Sequence, residues 1–175
     1  MNVHSVEEVR KMSVVAPATG KVIAEIEETP VHEVPFFYQK ARESFENWSG
    51  LAISERTRYL RNLKQLMVDE MDQIAKIISD DTGKVLTESI VADIMPILDA
   101  IDHIIRHAEK VLSRKKVKTP LLLIGKKSFI EYMPRGVVLV ISPWNYPLQL
   151  AMVPMISVLA GGNSVILKPS EVTPL

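Results

Sequence analysis

Five aliphatic residues follow one another without a polar break at Val137–Ile141. Such a run is typical of a strand that is covered on both faces, as strands of parallel sheets are. The apolar segment Leu148–Ala160 comes next and is long enough for a helix, and a second β-prone run lies at Val165–Lys168. Strand, helix and strand in this order predict a βαβ unit with a right-handed crossover. Because the sequence offers Val137–Ile141 only one parallel partner, we expect an α/β fold with an incomplete parallel sheet.

The first two thirds of the chain differ from this unit. A Pro and a Gly between two β-prone segments predict a small hairpin within residues 13–26. From about residue 33 to 112 the spacing of apolar residues becomes helical. Pro35 can occupy the first turn of one helix, and Ser54 can cap a second one that Asp80–Gly83 ends. The second helix would bury Leu60, Leu63, Met67, Met71, Ile74, Ile77 and Ile78.

A third helix is predicted from Leu86 to Ala108, where apolar residues recur every three or four positions, and Pro96 should kink it. Beyond it, Leu121–Ile124 and Phe129–Met133 have the composition of strands. The basic run Arg114–Lys118 between helix and strands is predicted to be a solvated connector rather than a nucleic-acid site, because no aromatic residues are interleaved with its charges.

Composition removes several classes of function. Lys plus Arg and Asp plus Glu both number 21, so the chain is neutral overall and nothing favours binding to nucleic acid. There is no cysteine, which excludes disulfides, thiolate metal sites and a thiol nucleophile within these residues. His103 and His107 lie four residues apart on a predicted helix, but the glutamate that a zinc-protease motif needs after the first His is Ile104, so no metal site is predicted. The first eight residues lack the pattern of a secretory signal and no membrane span is predicted, which favours a cytoplasmic location.

The first candidate site lies where the strand Val137–Ile141 ends. Ligands of open α/β sheets bind at the carboxyl ends of the strands. There Pro143 and Pro147 enclose Trp144 and Asn145 in a stiff turn, and the Asn145 amide could donate a hydrogen bond to a developing oxyanion. A purely structural turn is the alternative on local grounds.

The second candidate site follows the strand Val165–Lys168. Pro169 holds Lys168 and Glu171 close together, and a donor and an acceptor so placed could grip the hydroxyls of a ribose. An ordinary surface ion pair is the alternative.

Taken together, the two turns resemble those of the aldehyde dehydrogenase superfamily. The segment from Gly136 to Pro147 matches the family pattern of a hydrophobic strand followed by Pro-Trp-Asn-Tyr-Pro, and the segment from Ala160 to Pro174 matches Ala-Gly-Asn, a strand, Lys-Pro-Ser-Glu and Thr-Pro. Residues 17–24 resemble the family's first hairpin, and 81–84 with Glu88 resemble its Thr-Gly-Lys region, so nearly the whole chain is covered. Pro154 and the residues after Asn145 lean toward the class 3, fatty-aldehyde-like branch.

The resemblance implies a role for each matched residue. It implies that Asn145 stabilises the oxyanion of the intermediate formed on the aldehyde. It implies that the cofactor is NAD, with NADP possible, and that this cofactor is bound by Ser142, Pro143, Trp144, Lys168, Ser170 and Glu171. Lys168 and Glu171 would hold the adenosine ribose, while Ser142, Pro143 and Trp144 would line the nicotinamide side of the cleft.

The family's catalytic cysteine, its Glu-Leu-Gly-Gly segment and its pyrophosphate turn have no counterpart in these residues. The resemblance therefore implies the N-terminal part of the enzyme, one partial Rossmann-like cofactor domain over residues 1–175, inactive alone and doubtful as a cofactor binder by itself. Its partners would be a small aldehyde and either further copies in a homo-oligomer, through strands near 119–134, or the remainder of the enzyme. A non-catalytic fragment or a module that pairs through its β-strands is the alternative.

Overall fold

The computed structural model describes residues 10–175. Residues 1–9, including the segment in which a secretory signal was sought, lie outside the described residues. The described chain begins with an antiparallel hairpin of β1 (Lys11–Val15) and β2 (Val22–Glu27). Gly20 closes its turn with a φ of 68°, a left-handed conformation that glycine adopts without steric cost, and its N–H donates to the carbonyl of Ala16 at 2.8 Å. The predicted hairpin is confirmed.

Three long helices follow where helical spacing was predicted: α1 (Val34–Ser49), α2 (Ile53–Asp69) and α3 (Met71–Thr82). The prediction of one continuous second helix was wrong, because the backbone leaves helical geometry at Glu70 (φ −105°, ψ 14°). Gly83 ends α3 in the left-handed conformation, with φ of 77°, as its place after Asp80 and Asp81 predicted.

The start of α2 also differs from expectation. The capping residue is Ala52 rather than Ser54, and the Ala52 N–H donates to Glu55 Oε2 at 2.9 Å. The glutamate in the first turn therefore satisfies the backbone donor at this helix start, and the serine hydroxyl is not needed there.

The third predicted helix is one helical segment with an irregular middle. It comprises α4 (Leu86–Glu88), a π-helix (Ser89–Ile94) and α5 (Met95–Leu112). Pro96 explains the irregularity, because it has no N–H for a regular helical bond and its ring crowds the preceding turn. The N–H of Met95 instead donates to the carbonyl of Ile90, five residues back.

The next region corrects two strand predictions. Leu121–Leu123 forms a 3₁₀ helix rather than a strand, because Pro120 turns the chain and the Leu123 N–H donates to the Pro120 carbonyl at 2.9 Å. The predicted strand Phe129–Met133 is shorter and earlier, β4 (Ser128–Ile130). It pairs antiparallel with β3 (Lys115–Val117), which lies within the run expected to be a connector.

The predicted βαβ unit is confirmed. It comprises β5 (Val137–Ile141), α6 (Pro147–Ala160) and β6 (Ser164–Lys168), and the two strands are parallel with Val137 opposite Ser164. The Asn163 side chain fixes the entry to β5 by accepting hydrogen bonds from the N–H groups of Arg135 and Gly136. The fold is thus mixed α/β, with a hairpin and helices before an incomplete parallel sheet.

The core lies between the helices. Its most buried side chains come from α2, the π-helix, α5 and α6: Leu60, Ile94, Ile97, Ile101 and Ile156. The small parallel sheet is covered less completely, since Leu139 and Ile141 remain 57% and 67% exposed. No helix within residues 10–175 combines the length and the apolar character needed to cross a membrane.

Candidate functional site

The two predicted turns meet at the carboxyl ends of β5 and β6. The backbone N–H of Ser142, the first residue after β5, donates to the carbonyl of Lys168, the last residue of β6, at 3.0 Å. A second bond joins the segments farther on, where Thr173 Oγ1 donates to the Trp144 carbonyl at 3.1 Å. The sheet register therefore places both predicted segments at one edge, as the parallel strands predicted.

The turn after β5 is held from inside. The Ser142 hydroxyl is buried and donates to the Pro147 carbonyl at 3.2 Å, which ties the start of the turn to the first residue of α6. Pro143 and Trp144 lie on the exposed side. The Ser142 hydroxyl thus serves the shape of the turn, while the two following residues present their side chains outward.

Asn145 sits at the exposed tip of this turn. Within residues 10–175 its side-chain amide has no hydrogen-bond partner. Both N–H bonds of the amide are therefore available to an external acceptor, which an oxyanion-stabilising group requires.

Lys168 and Glu171 form the predicted pair after β6. Lys168 Nζ lies 2.9 Å from Glu171 Oε2 and also donates to the Pro169 carbonyl at 3.0 Å. The hydrogen bond from Lys168 lowers the pKa of the exposed Glu171 carboxyl, which favours its charged form. Ser170 between them is buried, and its hydroxyl accepts a hydrogen bond from the Val172 N–H at 3.2 Å.

A groove of about 730 Å³ runs beside this pair. The β1–β2 hairpin forms one wall and the turn after β6 forms the other. The residues that line the groove include Lys11, Glu27, Lys168, Ser170, Glu171 and Pro174. The pair is therefore open to a ligand rather than packed against the body of the protein.

Sequence reasoning missed a buried ion pair behind the Asn145 turn. Lys84 Nζ lies 2.8 Å from Asp93 Oδ2, with the Lys84 and Asp93 side chains 13% and 0% exposed. The same ammonium lies 4.2 Å from the centre of the Tyr146 ring, and the other Asp93 oxygen accepts a hydrogen bond from the Gln149 N–H at 3.3 Å. The pair therefore contacts both the residue after Asn145 and the first turn of α6.

One signal could have found this pair. Asp93 interrupts the apolar stripe of the third helix, and a charged residue on a buried helix face needs a partner of opposite charge. The third helix was predicted from the hydrophobic residues of this stripe alone. The partner could not be named, because several lysines and arginines occur in the chain.

Asp81, in the last turn of α3, is a second buried carboxylate. Its Oδ2 accepts a hydrogen bond from the Leu175 N–H at 3.0 Å, and its Oδ1 has no partner within residues 10–175. Burial raises the pKa of the Asp81 carboxyl, and the bond from Leu175 opposes that rise.

His103 and His107 stack with ring centres 4.3 Å apart on the exposed side of α5. Residues 10–175 contain no cluster of three or more side chains of the types that bind metals.

Comparisons with known proteins match nearly the whole chain. The model of the aldehyde dehydrogenase family matches residues 4–175. A curated 4,4'-diapolycopene aldehyde oxidase from Methylomonas sp. is 36% identical over 164 residues, which cover 91% of this chain. A betaine aldehyde dehydrogenase from Staphylococcus aureus is 30% identical with a TM-score of 0.87, and PnpE in complex with nicotinamide adenine dinucleotide is 29% identical with the same score; each match covers 95% of this chain.

Each of the three matches covers only part of the relative's own length. The chain spans 30% of the length of the curated oxidase and 33% of each of the two solved chains.

Proposed function

The chain belongs to the aldehyde dehydrogenase family, and we propose that its two strand-end turns supply the cofactor and oxyanion contacts for NAD-dependent oxidation of an aldehyde to a carboxylic acid. The observation that supports this most directly is the hydrogen bond between the Ser142 N–H and the Lys168 carbonyl. It holds an unpaired amide donor and an exposed ion pair at the same edge of the sheet. A nucleotide and a reacting carbonyl would have to meet at such an edge.

The residues after β6 fit the ribose of a dinucleotide. The Lys168 ammonium is a donor and the Glu171 carboxylate is an acceptor, and they lie 2.9 Å apart beside an open groove. A free 2′-hydroxyl can donate to the charged glutamate, whereas a 2′-phosphate would be repelled by it, so we assign NAD rather than NADP. Pro143 and Trp144 would line the nicotinamide side, and Ser142 would fix the turn that presents them. The bound cofactor supplies the hydride acceptor.

Asn145 would act on the substrate. When a nucleophile attacks the aldehyde carbon, the carbonyl oxygen becomes negatively charged, and a fixed amide N–H lowers the energy of that charge. The turn that carries Asn145 is closed by the Ser142 and Thr173 hydroxyls, so little ordering is required at the moment of reaction.

The nucleophile must come from other residues than these, since the 175 residues contain no cysteine. Without a thiol the chain alone should not oxidise aldehydes. The resemblance left cofactor binding by the chain alone in doubt, but because Lys168 and Glu171 lie beside an open groove, we expect the chain alone to bind NAD. The remaining residues of an assembled enzyme would provide the thiol and the wall opposite Asn145.

One observation favours a second candidate function, a non-catalytic module that binds through its sheets. Leu139 and Ile141 are 57% and 67% exposed on β5, and each of the three sheets in residues 10–175 has only two strands. Unpaired strand edges of this kind can pair with another chain.

Calorimetric titration of the chain with NAD distinguishes the cofactor-binding function from the non-catalytic binding module. We expect saturable NAD binding, weaker binding of NADP, and a loss of affinity of about tenfold or more for Glu171→Gln, since hydrogen bonds to a charged group contribute about 1.5–3 kcal/mol. Glu46→Gln, which removes an exposed carboxylate from α1, is the matched control and should leave affinity unchanged. No binding at millimolar NAD, together with self-association that rises with protein concentration, would instead support the binding module.

A further inference from the structure

The Asn145 turn leads directly into α6, and the start of that helix has no cap of its own. Tyr146 precedes the first helical residue with φ −132° and ψ 72°, and its side chain makes no capping hydrogen bond. The N–H of Gln149 in the first turn therefore needs an acceptor from another element. Asp93 of the π-helix supplies it, with Oδ1 at 3.3 Å from the Gln149 nitrogen. A distant carboxylate thus closes the helix to which Asn145 is joined.

The same carboxylate holds the Lys84 ammonium. Asp93 is 0% exposed, and its Oδ2 lies 2.8 Å from Lys84 Nζ. The lysine side chain is itself only 13% exposed, so its head group is confined by burial as well as by the ion pair. Replacing a buried ion pair by apolar residues is often neutral or stabilising, because both charges lose their hydration when they are buried. Stability of the fold is therefore a weak reason for an ion pair at this place.

The Lys84 ammonium has a second contact, with the ring of Tyr146. Nζ lies 4.2 Å from the ring centre, and a cation within about 6 Å is attracted to the negative face of an aromatic ring. The Asn145 amide has no hydrogen-bond partner within residues 10–175. Its place therefore depends on the backbone of the turn, which the Tyr146 ring holds on the side of α6.

We propose that Lys84 is a positioning residue for Asn145 and acts through the Tyr146 ring. The inference rests on the oxyanion role proposed for Asn145. An amide that stabilises a developing charge must point at it before the reaction, and a displacement of about 1 Å can lower the rate about a hundredfold. Asp93 holds both the lysine and the first turn of α6, so one buried carboxylate supports the turn. It lies in a π-helix, an irregularity that is frequent at functional sites.

The first measurement is the order parameter of the Asn145 backbone amide, obtained by nuclear magnetic resonance relaxation of the chain labelled with nitrogen-15. In the parent we expect about 0.85, the value of rigid backbone. Lys84→Met should lower it toward about 0.6, which marks flexible backbone, because the ring loses its cation. Tyr146→Leu, which removes the ring, should act like Lys84→Met, whereas Tyr146→Phe, which keeps the ring face, should act like the parent.

Two controls separate positioning from general loss of stability. Met67→Ala removes a buried core side chain of α2, so it should lower Tm and leave the Asn145 order parameter unchanged. Lys64→Met breaks an ion pair between α2 and α5, in which Lys64 Nζ lies 2.6 Å from Asp102 Oδ2, and should also leave that order parameter unchanged. Both controls retain the cation over the Tyr146 ring.

The double variant Lys84→Met with Asp93→Asn gives the sharpest distinction, and it keeps the test valid if Lys84→Met does not fold. It leaves an amide oxygen for the Gln149 N–H and no unpaired charge at residue 93, so it should be more stable than Lys84→Met. It also lacks the cation over the Tyr146 ring. We therefore expect stability to be recovered while the Asn145 order parameter stays low.

The second measurement is kinetic and uses the assembled enzyme. Lys84→Met should lower kcat about tenfold or more and leave KM for NAD unchanged, because the contacts after β6 are intact. In the Asn145→Ala background the same substitution should change kcat by less than about twofold, since a residue that acts through Asn145 has no further effect once that amide is absent.

Three results would overturn the proposal. An Asn145 order parameter that is equal in the parent, Lys84→Met and Tyr146→Leu would mean that the cation does not order the turn. Recovery of that order parameter together with stability in the double variant would make the role of Lys84 purely structural. An equal loss of kcat in the parent and Asn145→Ala backgrounds would mean that Lys84 acts by another route. If instead Asn145→Ala leaves kcat unchanged while the order parameters change as expected, the oxyanion role fails and the positioning of the turn by Lys84 is supported.

Discussion

The buried pair of Lys84 and Asp93 provides the sharpest test of the site's construction. Replacing Lys84 by Met keeps most of the length of the side chain and removes its charge. Asp93, which is 0% exposed, would then keep only the 3.3 Å bond from the Gln149 N–H. Loss of one partner of a buried ion pair costs about 3–5 kcal/mol, because the other charge remains buried without compensation. At about 2–4 °C per kcal/mol for a domain of this size, we expect Tm to fall by about 6–20 °C.

Lys76→Met is the matched control. Lys76 lies at the same distance from its partner, 2.8 Å from Asp80, but these side chains are 68% and 45% exposed. Exposed pairs contribute about 0–1 kcal/mol, so we expect a shift of a few degrees at most. Urea unfolding followed by circular dichroism measures both variants on one scale. If Lys84→Met costs no more than Lys76→Met, burial is not what gives the Lys84 pair its importance, and the reasoning is refuted.

A double variant tests the same reasoning in case Lys84→Met does not fold. In Lys84→Met combined with Asp93→Asn neither charge of the pair is left, and the amide oxygen can still accept from the Gln149 N–H. We expect the double variant to be more stable than Lys84→Met alone, which a simple loss of packing does not explain. Hydrogen exchange of the Gln149 amide should be faster in Lys84→Met than in the parent, relative to amides of the β1–β2 hairpin.

Three further outcomes follow from other residues. Burial holds the pKa of Asp81 above its ordinary value near 4, so its ionisation opposes folding. The unfolding free energy of the parent relative to Asp81→Asn should therefore fall as pH rises from about 4 toward neutrality. A difference that does not change with pH would contradict this. Asn145→Ala should leave Tm unchanged, because the side chain is exposed, yet lower kcat of an assembled enzyme by about 10²–10³-fold; an unchanged kcat would remove its assigned role. Trp48→Phe should cost about 1–2 kcal/mol by leaving the Leu159 carbonyl without the 2.9 Å bond from the indole N–H, as urea unfolding would show.

The βαβ unit could be predicted because its signals are local. The aliphatic run Val137–Ile141, the glycines after α6 and the prolines at 143 and 147 each restrict their own backbone, and no distant partner is needed to interpret them. The same holds for the αL turn at Gly83. Where neighbouring residues determine the structure, the sequence was sufficient.

Predictions failed where the outcome depends on partners elsewhere. Leu121–Ile124 has the composition of a strand, but a strand also needs a partner with free backbone groups, and β4 pairs with Lys115–Val117 instead. The break at Glu70 has no local signal, since glutamate is a good helix former. Asp93 signals a buried charge, but its surroundings come from distant residues: Gln149, 56 positions away, donates a hydrogen bond to it, and the Tyr146 ring lies against the Lys84 ammonium, so only the tertiary packing reveals this arrangement.

The candidate site divides its residues into two groups by burial. Asn145, Lys168 and Glu171, which would touch ligand, are exposed, whereas Ser142 and Asp93 are buried and hydrogen-bonded to the turn or to α6. The buried group makes the site rigid, so that the exposed Asn145 amide, which has no hydrogen-bond partner within residues 10–175, and the exposed Lys168–Glu171 pair can keep their positions. Substitutions in the two groups should therefore have different effects. Changes at the exposed residues should alter ligand binding at constant stability, while changes at the buried residues should alter both binding and stability. The ratio of the effect on binding to the effect on stability then identifies the group to which a residue belongs.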